Sequence, residues 1–417
     1  MVRTVPSQAT PKAALSLCDP SGEPIGRWPF LLRRMQGLLQ GLSVGRLVVT
    51  LPDGSVLTIE GKVPGPHGQL SIYRWRALQR AGLQGDVGLG EAFMDGDWDS
   101  PNLAETLLFF AANTAETGDQ FTPSGLWGWL LAGYHRLRAN TRFMARRNIA
   151  AHYDLGNDFY ATWLDPTMTY SAALFAEGAN SLEEAQIAKY RALASATGLG
   201  AEDHVLEIGC GWGGFAVWAA QNIGCSITAV TLSKAQHDYA QARIERAGVS
   251  DRITLLLQDY RSLTGQFDHV ISIEMIEAVG EAYWPVYFAK VASLLRPGGR
   301  FGLQAITIND ADFSTYRRRP DFLQTHIFPG GMLLPAQGMR QIAGSAGLKA
   351  EPARSMGLDY AQTLAIWHSQ FNDAWPELEA QGFDFAFRRK WQFYLAMCEA
   401  GFRSGLIDVS QTVFVSS

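Results

Sequence analysis

Residues 204–216 read HVLEIGCGWGGFA, and the fold of the chain turns on them. Val205, Leu206 and Ile208 make a short apolar run suited to a buried parallel strand. The run stops in a turn carrying Gly209, Gly211, Gly213 and Gly214, and Phe215 to Ala220 then read as the start of a helix. Glycines suit such a turn because a side chain would hold a ligand off the backbone, and because the turn uses dihedrals costly for other residues. Alone, the turn fits either a nucleotide-type ligand site or a tight connection, so its neighbours must decide.

Further strands are expected at 226–231, 253–257, 269–273 and 300–305, with helical segments between most of them. Strands alternating with helices imply a parallel, doubly wound sheet, with ligands at the carboxyl ends of its strands. The 417 residues are too many for one ordinary core, so two domains are expected. Hydrophobic residues make up 47% and charged residues 18%, the latter below the usual quarter, which points to a globular protein with an apolar surface. A net charge of -5 argues against nucleic acid as a partner, whose binding needs a dominant basic field. Cys18, Cys210, Cys225 and Cys398 are scattered without paired metal spacing, so no metal site is expected and a reducing compartment is the simpler setting. No apolar stretch approaches the roughly 20 residues that span a bilayer. Residues 1–14 hold prolines and polar groups where a signal peptide needs a continuous apolar segment, so a cytoplasmic protein is expected.

Ahead of the glycine turn, residues 1–120 are expected to form an α+β domain. Residues 27–42 suit an amphipathic helix with basic Arg33 and Arg34, either packed on its own domain or touching a membrane surface. Residues 45–61 predict a hairpin turning at Pro52-Asp53-Gly54, residues 70–78 another strand, and GEAFMDGDWDSPNL, 90–103, an ordered turn before a helix that includes Leu107 to Ala112. A connecting segment follows at 121–148. Trp127, Trp129 and Tyr134 precede Arg136, Arg138, Arg142, Arg146 and Arg147 there, which fits a solvated interdomain helix or a peripheral contact with anionic lipid headgroups on the inner face of the membrane.

The Gly209-Cys210-Gly211-Trp212-Gly213 pattern resembles the first motif of S-adenosylmethionine-dependent methyltransferases more than a dinucleotide fingerprint, since the third glycine of GxGxxG is missing and a carboxylate, Glu207, precedes the turn. Their cofactor carries a sulfonium cation and no pyrophosphate, so acidic and aromatic neighbours suit it better than a bare helix N-terminus. Upstream, residues 152–171 read HYDLGNDFYATWLDPTMTYS. Together with VLEIGCGWGG, VTLS and LQDYR, this motif resembles the cyclopropane-fatty-acyl-phospholipid synthases and the related mycolic acid cyclopropane synthases, which add a methyl-derived carbon to the cis double bond of a lipid acyl chain. The likeness runs from about residue 151 to 414, and the leading domain looks like that of the longer bacterial members.

The resemblance implies a Rossmann-like methyltransferase domain over 149–417, with S-adenosyl-L-methionine as cofactor and unsaturated phospholipid acyl chains as substrate; a homodimer is left open. It further implies that Tyr170 and Ser171 hold the cofactor, that Gly209 and Gly211 approach its methionine portion, and that Thr231, Leu232, Ser233 and Gln236 lie by the ribose and adenosine. Gln258, Asp259 and Tyr260 are placed by the adenine, and Tyr153, Glu207, Trp212 and Gly213 complete the set. Ser233 also has the position of a helix cap, and both roles can hold together.

A double bond is a poor nucleophile, and it attacks a sulfonium methyl only when aligned in a dry, apolar tunnel. The resulting carbocation needs aromatic faces or carboxylates, and then a base. A proton taken from the new methyl closes a cyclopropane; one taken from the chain leaves a methyl-branched or methylene-bearing olefin. In the family the base is bicarbonate, held by a cysteine, a glutamate, a histidine and a tyrosine. This chain matches the glutamate with Glu277 and the tyrosine with Tyr360, but has Ala172 in place of the cysteine and Gln304 in place of the histidine. Bicarbonate with those partners missing would be poorly held. Glu274, in SIEMIEAVG, stands where cyclopropane synthases carry a small residue, and it is expected either to replace the bicarbonate as base or to pair with the sulfonium, the ribose or an arginine. The SIEMIEAVG form looks like the branch associated with methyl-branched fatty acids, so a methyl-branched or methylene product is expected, with cyclopropane as the alternative. A non-catalytic module binding cofactor and lipid is the reading from another class.

Overall fold

The computed structural model describes residues 12–117, 155–176 and 178–416. Among them two compact units form, 12–117 with 383–404, and 155–382 with 405–416. The expected connecting segment 121–148, with its aromatic and arginine residues, and Tyr153 lie outside the described residues.

In the first unit, alternation of apolar residues writes the sheet. β1 (Ala14–Cys18), β2 (Val44–Thr50), β3 (Val56–Glu60), β4 (Val63–Ile72) and β5 (Trp98–Asp99) lie in the order β1-β3-β2-β4-β5. The hairpin of β2 and β3 runs from Arg46 opposite Glu60 to Thr50 opposite Val56, burying Leu47, Val49, Leu57 and Ile59. Gly54, at φ +82°, closes its turn. α1 (Phe30–Gln40) falls within the expected helix and buries Leu32 and Leu39. The strand expected at 70–78 is corrected: β4 ends at Ile72, the N–H groups of Tyr73 and Arg74 bond the Asp97 carbonyl, and α2 (Arg76–Met94) begins. Part of the expected 90–103 turn is likewise the end of α2, and α3 (Leu103–Thr117) follows β5.

A second correction concerns domain limits. The helix Phe385–Ser404, expected within a continuous 149–417 domain, belongs to the first unit. Its Arg389 is buried, with Nη2 donating to the Trp98 carbonyl at 2.7 Å, Nε to the Phe93 carbonyl, and the guanidinium 3.6 Å from the centre of the Phe93 ring. Such a charge is tolerated in a core only when its donors are satisfied, as these are.

The second unit contains α4 (Asn157–Ala161), α5 (Leu182–Thr197), β6 (His204–Ile208), α6 (Gly214–Asn222), β7 (Ser226–Thr231), α7 (Lys234–Arg246), β8 (Ile253–Leu257), β9 (Phe267–Ile273), α8 (Trp284–Leu294) and β10 (Leu295–Ile308). It continues through α9 (Asp310–Tyr316), α10 (Phe322–His326), β11 (Leu334–Pro335), α11 (Ala336–Ser345), β12 (Leu348–Ala350), β13 (Arg354–Ser355), α12 (Gly357–Asp373), α13 (Trp375–Ala380) and β14 (Ile407–Ser416). The sheet order is β12-β14-β10-β9-β6-β7-β8, with β8, β7, β6, β9 and β10 parallel and β14 antiparallel to β10. Val205, Ile227 and Ile271 pack with α5, α6 and α7 on one face; Leu206, Val270, Phe301 and Leu303 pack with α8 and α11 on the other. This is the expected doubly wound α/β architecture. The strand order reverses between β6 and β9, so a ligand crevice opens beyond their carboxyl ends, where the glycine turn and Glu274 emerge.

β10 meets α5 at Gly302, where a Cβ would stand 2.3 Å from Thr197 Oγ1 and 2.8 Å from Ile271 Cδ1. Glycine therefore lets α5 lie close on the sheet, with Lys189, Leu193 and Thr197, spaced four apart, all fully buried along one face. Gly302→Val is expected to destabilise the fold by about 1–3 kcal/mol, as overpacking does. Urea unfolding measures this, and an unchanged midpoint would contradict the close approach.

Candidate active site

The crevice at the strand-order reversal is a pocket whose wall is drawn from five loops. Tyr170 and Ser171 lie on one side, with Glu207, Gly209, Gly211 and Trp212 at the β6 turn, Thr231, Leu232 and Gln236 between β7 and α7, Gln258 and Tyr260 after β8, and Glu274 after β9. Gly211, at φ +52°, has no atom within 4 Å of where its Cβ would stand, so hydrogen in place of a side chain leaves that volume to the pocket. Gly209, at φ +85°, has Met275 Cγ 2.7 Å from the same position and could carry no side chain without displacing it.

Some expected residues stand behind the wall. Ser233 caps α7, its side chain accepting from the Gln236 N–H, while Gln236 itself reaches the pocket and bonds Thr231 Oγ1 at 3.0 Å. Asp259 is held by Arg261 through Nη2 at 2.6 Å and Nε at 2.9 Å, and Arg261 takes its place in the lining. Gly213, at φ +80°, is the N-cap of α6, and a Cβ there would meet Ala240. None of these three is among the residues lining the pocket. Trp212 is tied to the upstream motif: its Nε1 donates to Asn157 Oδ1 at 2.8 Å, and its ring stands 5.1 Å from that of Tyr160.

Glu207 is buried on β6. Its carboxylate accepts from the Ala216 N–H, and Oε2 has no hydrogen-bond partner among the described residues. Burial pushes its pKa up to about 8, with Lys189 acting against the rise. A buried carboxyl oxygen with no partner, in the wall of a pocket, suits a cationic group of a ligand, whose charge would bring the pKa back down and ionise the carboxyl. This orphan oxygen and the volume left open at Gly211 fit the amino-acid end of S-adenosylmethionine.

Glu274 follows β9 at φ +47°, a conformation disfavoured for a residue with a side chain and found where surroundings over-determine it. Its N–H bonds the Gln304 carbonyl at 2.8 Å. Oε1 accepts from the Ala172 N–H at 2.9 Å and from Gln304 Nε2 at 2.7 Å, and Oε2 accepts from Tyr360 Oη at 2.8 Å. Burial raises its pKa, and Lys189, Gln304, Ala172 and Tyr360 oppose that rise. Glu277 lies outside the pocket lining. It accepts from the Ile306 N–H at 2.6 Å, its Oε2 has no partner among the described residues, and burial with the neighbouring Glu274 pushes its pKa up to about 8. Of the neighbouring aromatic residues Tyr170 lines the pocket, and behind it Trp367 has its ring centre 5.3 Å from that of Tyr170 and 6.0 Å from that of Tyr360.

Two residues of this cluster escape sequence reasoning. Gln411, directly opposite Gln304 on β14, donates Nε2 to Gln304 Oε1 at 3.0 Å and so turns the Gln304 amide N–H toward Glu274. Its strand carries buried Ser410, Gln411 and Thr412 in place of an apolar run, which hides it from pattern reading. Lys189 is fully buried and donates to Ser171 Oγ at 2.7 Å; within LEEAQIAKYRALAS it reads as an ordinary solvated helix lysine.

Comparison with known proteins gives the family. The family described as mycolic acid cyclopropane synthetase matches residues 140–412. Tuberculostearic acid methyltransferase UfaA1 of Mycobacterium tuberculosis is 38% identical over 99% of both chains. The cyclopropane-fatty-acyl-phospholipid synthase of Escherichia coli K12 is 36% identical over 88% of this chain and 92% of its own. Among solved structures, mycolic acid cyclopropane synthase CmaA1 complexed with SAH and CTAB matches with TM-score 0.61 and 30% identity, covering 65% of this chain and 98% of that one. From the fold, the pocket and these likenesses together, the chain belongs to the mycolic acid cyclopropane synthetase family of S-adenosylmethionine-dependent methyltransferases.

Proposed function

We propose that the protein methylates the double bond of an unsaturated phospholipid acyl chain, with Glu274 as the base in place of bicarbonate, giving a methyl-branched or methylene product. One observation carries this reading: Ala172 and Gln304, the positions where the cyclopropane-forming pattern has cysteine and histidine, both donate to the Glu274 carboxylate. A carboxylate fixed to the chain thus takes up donors at the place where a diffusible anion is expected. The 38% identical relative named as a tuberculostearic acid methyltransferase supports the methyl-branched outcome.

When bound, the cofactor supplies an electrophilic methyl on a sulfonium sulfur, and a double bond that takes it is left with a carbocation on the acyl chain. Tyr170, which lines the pocket, offers that cation a π face, with Trp367 packed against Tyr170 and Tyr360 against Trp367. The two carboxyl groups divide the remaining work. Glu274 has three hydrogen-bond donors and Lys189 nearby, so it carries the negative charge. Glu277 has a single donor and sits beside that charge, so it keeps its proton and supports the Ile306 backbone. A Glu274 oxygen then accepts a proton from the chain. Loss from the carbon next to the cation leaves a methyl-branched olefin; loss from the new methyl after a hydride shift leaves a methylene group. Loss from the methyl with ring closure would give the cyclopropane named for the Escherichia coli relative, a second outcome open to the same base.

Incubation with methyl-labelled cofactor and vesicles of cis-monounsaturated phospholipid, followed by mass spectrometry of the acyl chains, is expected to show a labelled methyl-branched or methylene chain. Glu274→Gln keeps the shape and removes the basic oxygen, so turnover is expected to fall about 10²- to 10⁴-fold with cofactor affinity retained. Near-normal turnover in that variant would exclude the base role.

Glu277 predicts a pH signature. Its folded pKa of about 8 lies above the usual 4.5, so its contribution to stability is full below the unfolded value and is lost as pH rises through 8. Glu277→Gln is therefore expected to gain stability relative to the unmodified protein between pH 5 and pH 8.5. Thermal unfolding across that range checks it, and parallel pH curves would contradict a protonated Glu277.

A further inference from the structure

Lys189 is fully buried on α5, and no carboxylate pairs with it directly among the described residues. Its Nζ donates to Ser171 Oγ at 2.7 Å and stands 4.9 Å from the centre of the Tyr190 ring. A buried ammonium held by one neutral oxygen and one ring is costly unless an anion completes the site. Burial lowers its pKa to about 7, against the pull of Glu274 beyond β9, Asp165 in the loop before Ser171, and Glu207 on β6.

Ser171 lies in the pocket wall and is shaped by this lysine. Its carbonyl accepts from Gln186 Nε2 at 2.9 Å and its Oγ accepts from Lys189. A hydroxyl has one proton to give, and among the described residues nothing accepts that of Ser171, so it is available to a ligand in the pocket. Donation from an ammonium also polarises the hydroxyl and makes it a stronger donor. Glu207, close enough for its charge and that of Lys189 to shift each other, presents the orphan Oε2 to the same pocket. A hydroxyl backed by an ammonium, together with an unpaired carboxylate oxygen, is the complement of an α-amino acid, which bears one anionic and one cationic group.

We propose that Lys189 is a positioning residue for the cofactor, acting through Ser171 Oγ to hold a polarised donor against the α-carboxylate of the amino-acid portion while Glu207 receives the ammonium. The inference rests on the pocket being the S-adenosylmethionine site, and it is independent of which group serves as base.

Calorimetric titration with two probes tests it: S-adenosylhomocysteine, which has the amino-acid portion, and 5′-methylthioadenosine, which lacks it. Lys189→Met is expected to weaken S-adenosylhomocysteine about ten- to a hundred-fold, the range for a hydrogen bond to a charged group, and to leave 5′-methylthioadenosine unchanged. Ser171→Ala, which removes the donor and leaves the lysine, is expected to give the same selective loss, and the double variant no further loss, because both act in one relay. Equal weakening of both probes by Ser171→Ala, or fully additive losses in the double variant, would overturn the proposal. Should Lys189→Met fail to fold, Ser171→Ala alone decides through the same selectivity. An unmodified protein that binds neither probe would instead refute the cofactor site itself.

Discussion

The chemistry proposed for this protein depends on keeping one carboxylate charged where water is scarce. Glu274 is buried, and desolvation alone would hold it protonated and inert as a base. Three donors and a nearby lysine oppose that, and each comes from a different part of the fold: Ala172 from the loop after the Tyr170-Ser171 pair, Gln304 from β10, Tyr360 from α12 and Lys189 from α5. The parallel pairing of β9 with β10 brings Gln304 level with the end of β9, and the antiparallel β14 fixes its amide through Gln411. The close approach of α5 at Gly302 brings the lysine in. Sheet order, register and one glycine therefore converge on a single functional group.

The same pocket separates two electrostatic tasks. Glu207 and the Ser171–Lys189 pair offer an end that suits an amino-acid group, whereas Glu274 and the Tyr170 ring, with Trp367 and Tyr360 packed behind the lining, offer an end that suits a transient cation. Lys189 lies within electrostatic reach of both, since Glu274 and Glu207 each oppose the fall in its pKa. One buried ammonium can thus organise the ligand and keep the base ionised.

Much of this was legible in the sequence where local physics acts alone. The glycine turn after His204–Ile208, the strands flanking it and the N-terminal hairpin follow from apolar runs and from residues tolerating positive φ. The gaps at Ala172 and Gln304 pointed to Glu274 through the family resemblance, before any geometry. What stayed hidden depends on long-range packing. β14 carries three buried polar residues among its apolar ones, and one of them, Gln411, finds its partner in Gln304 on a strand distant in sequence. Helix Phe385–Ser404 joins the first unit because Arg389 finds the Phe93 and Trp98 carbonyls, a match no local pattern announces. Lys189 looks like any helix lysine until Gly302 draws its face against the sheet.

The central claim is that a side chain replaces a dissolved anion, and dependence on carbonate tests it most directly. Turnover of the unmodified protein, assayed with labelled cofactor and unsaturated phospholipid vesicles in carbonate-depleted buffer, is predicted to match the rate measured after bicarbonate is restored. A rate that collapses on depletion and recovers with added bicarbonate would contradict the account.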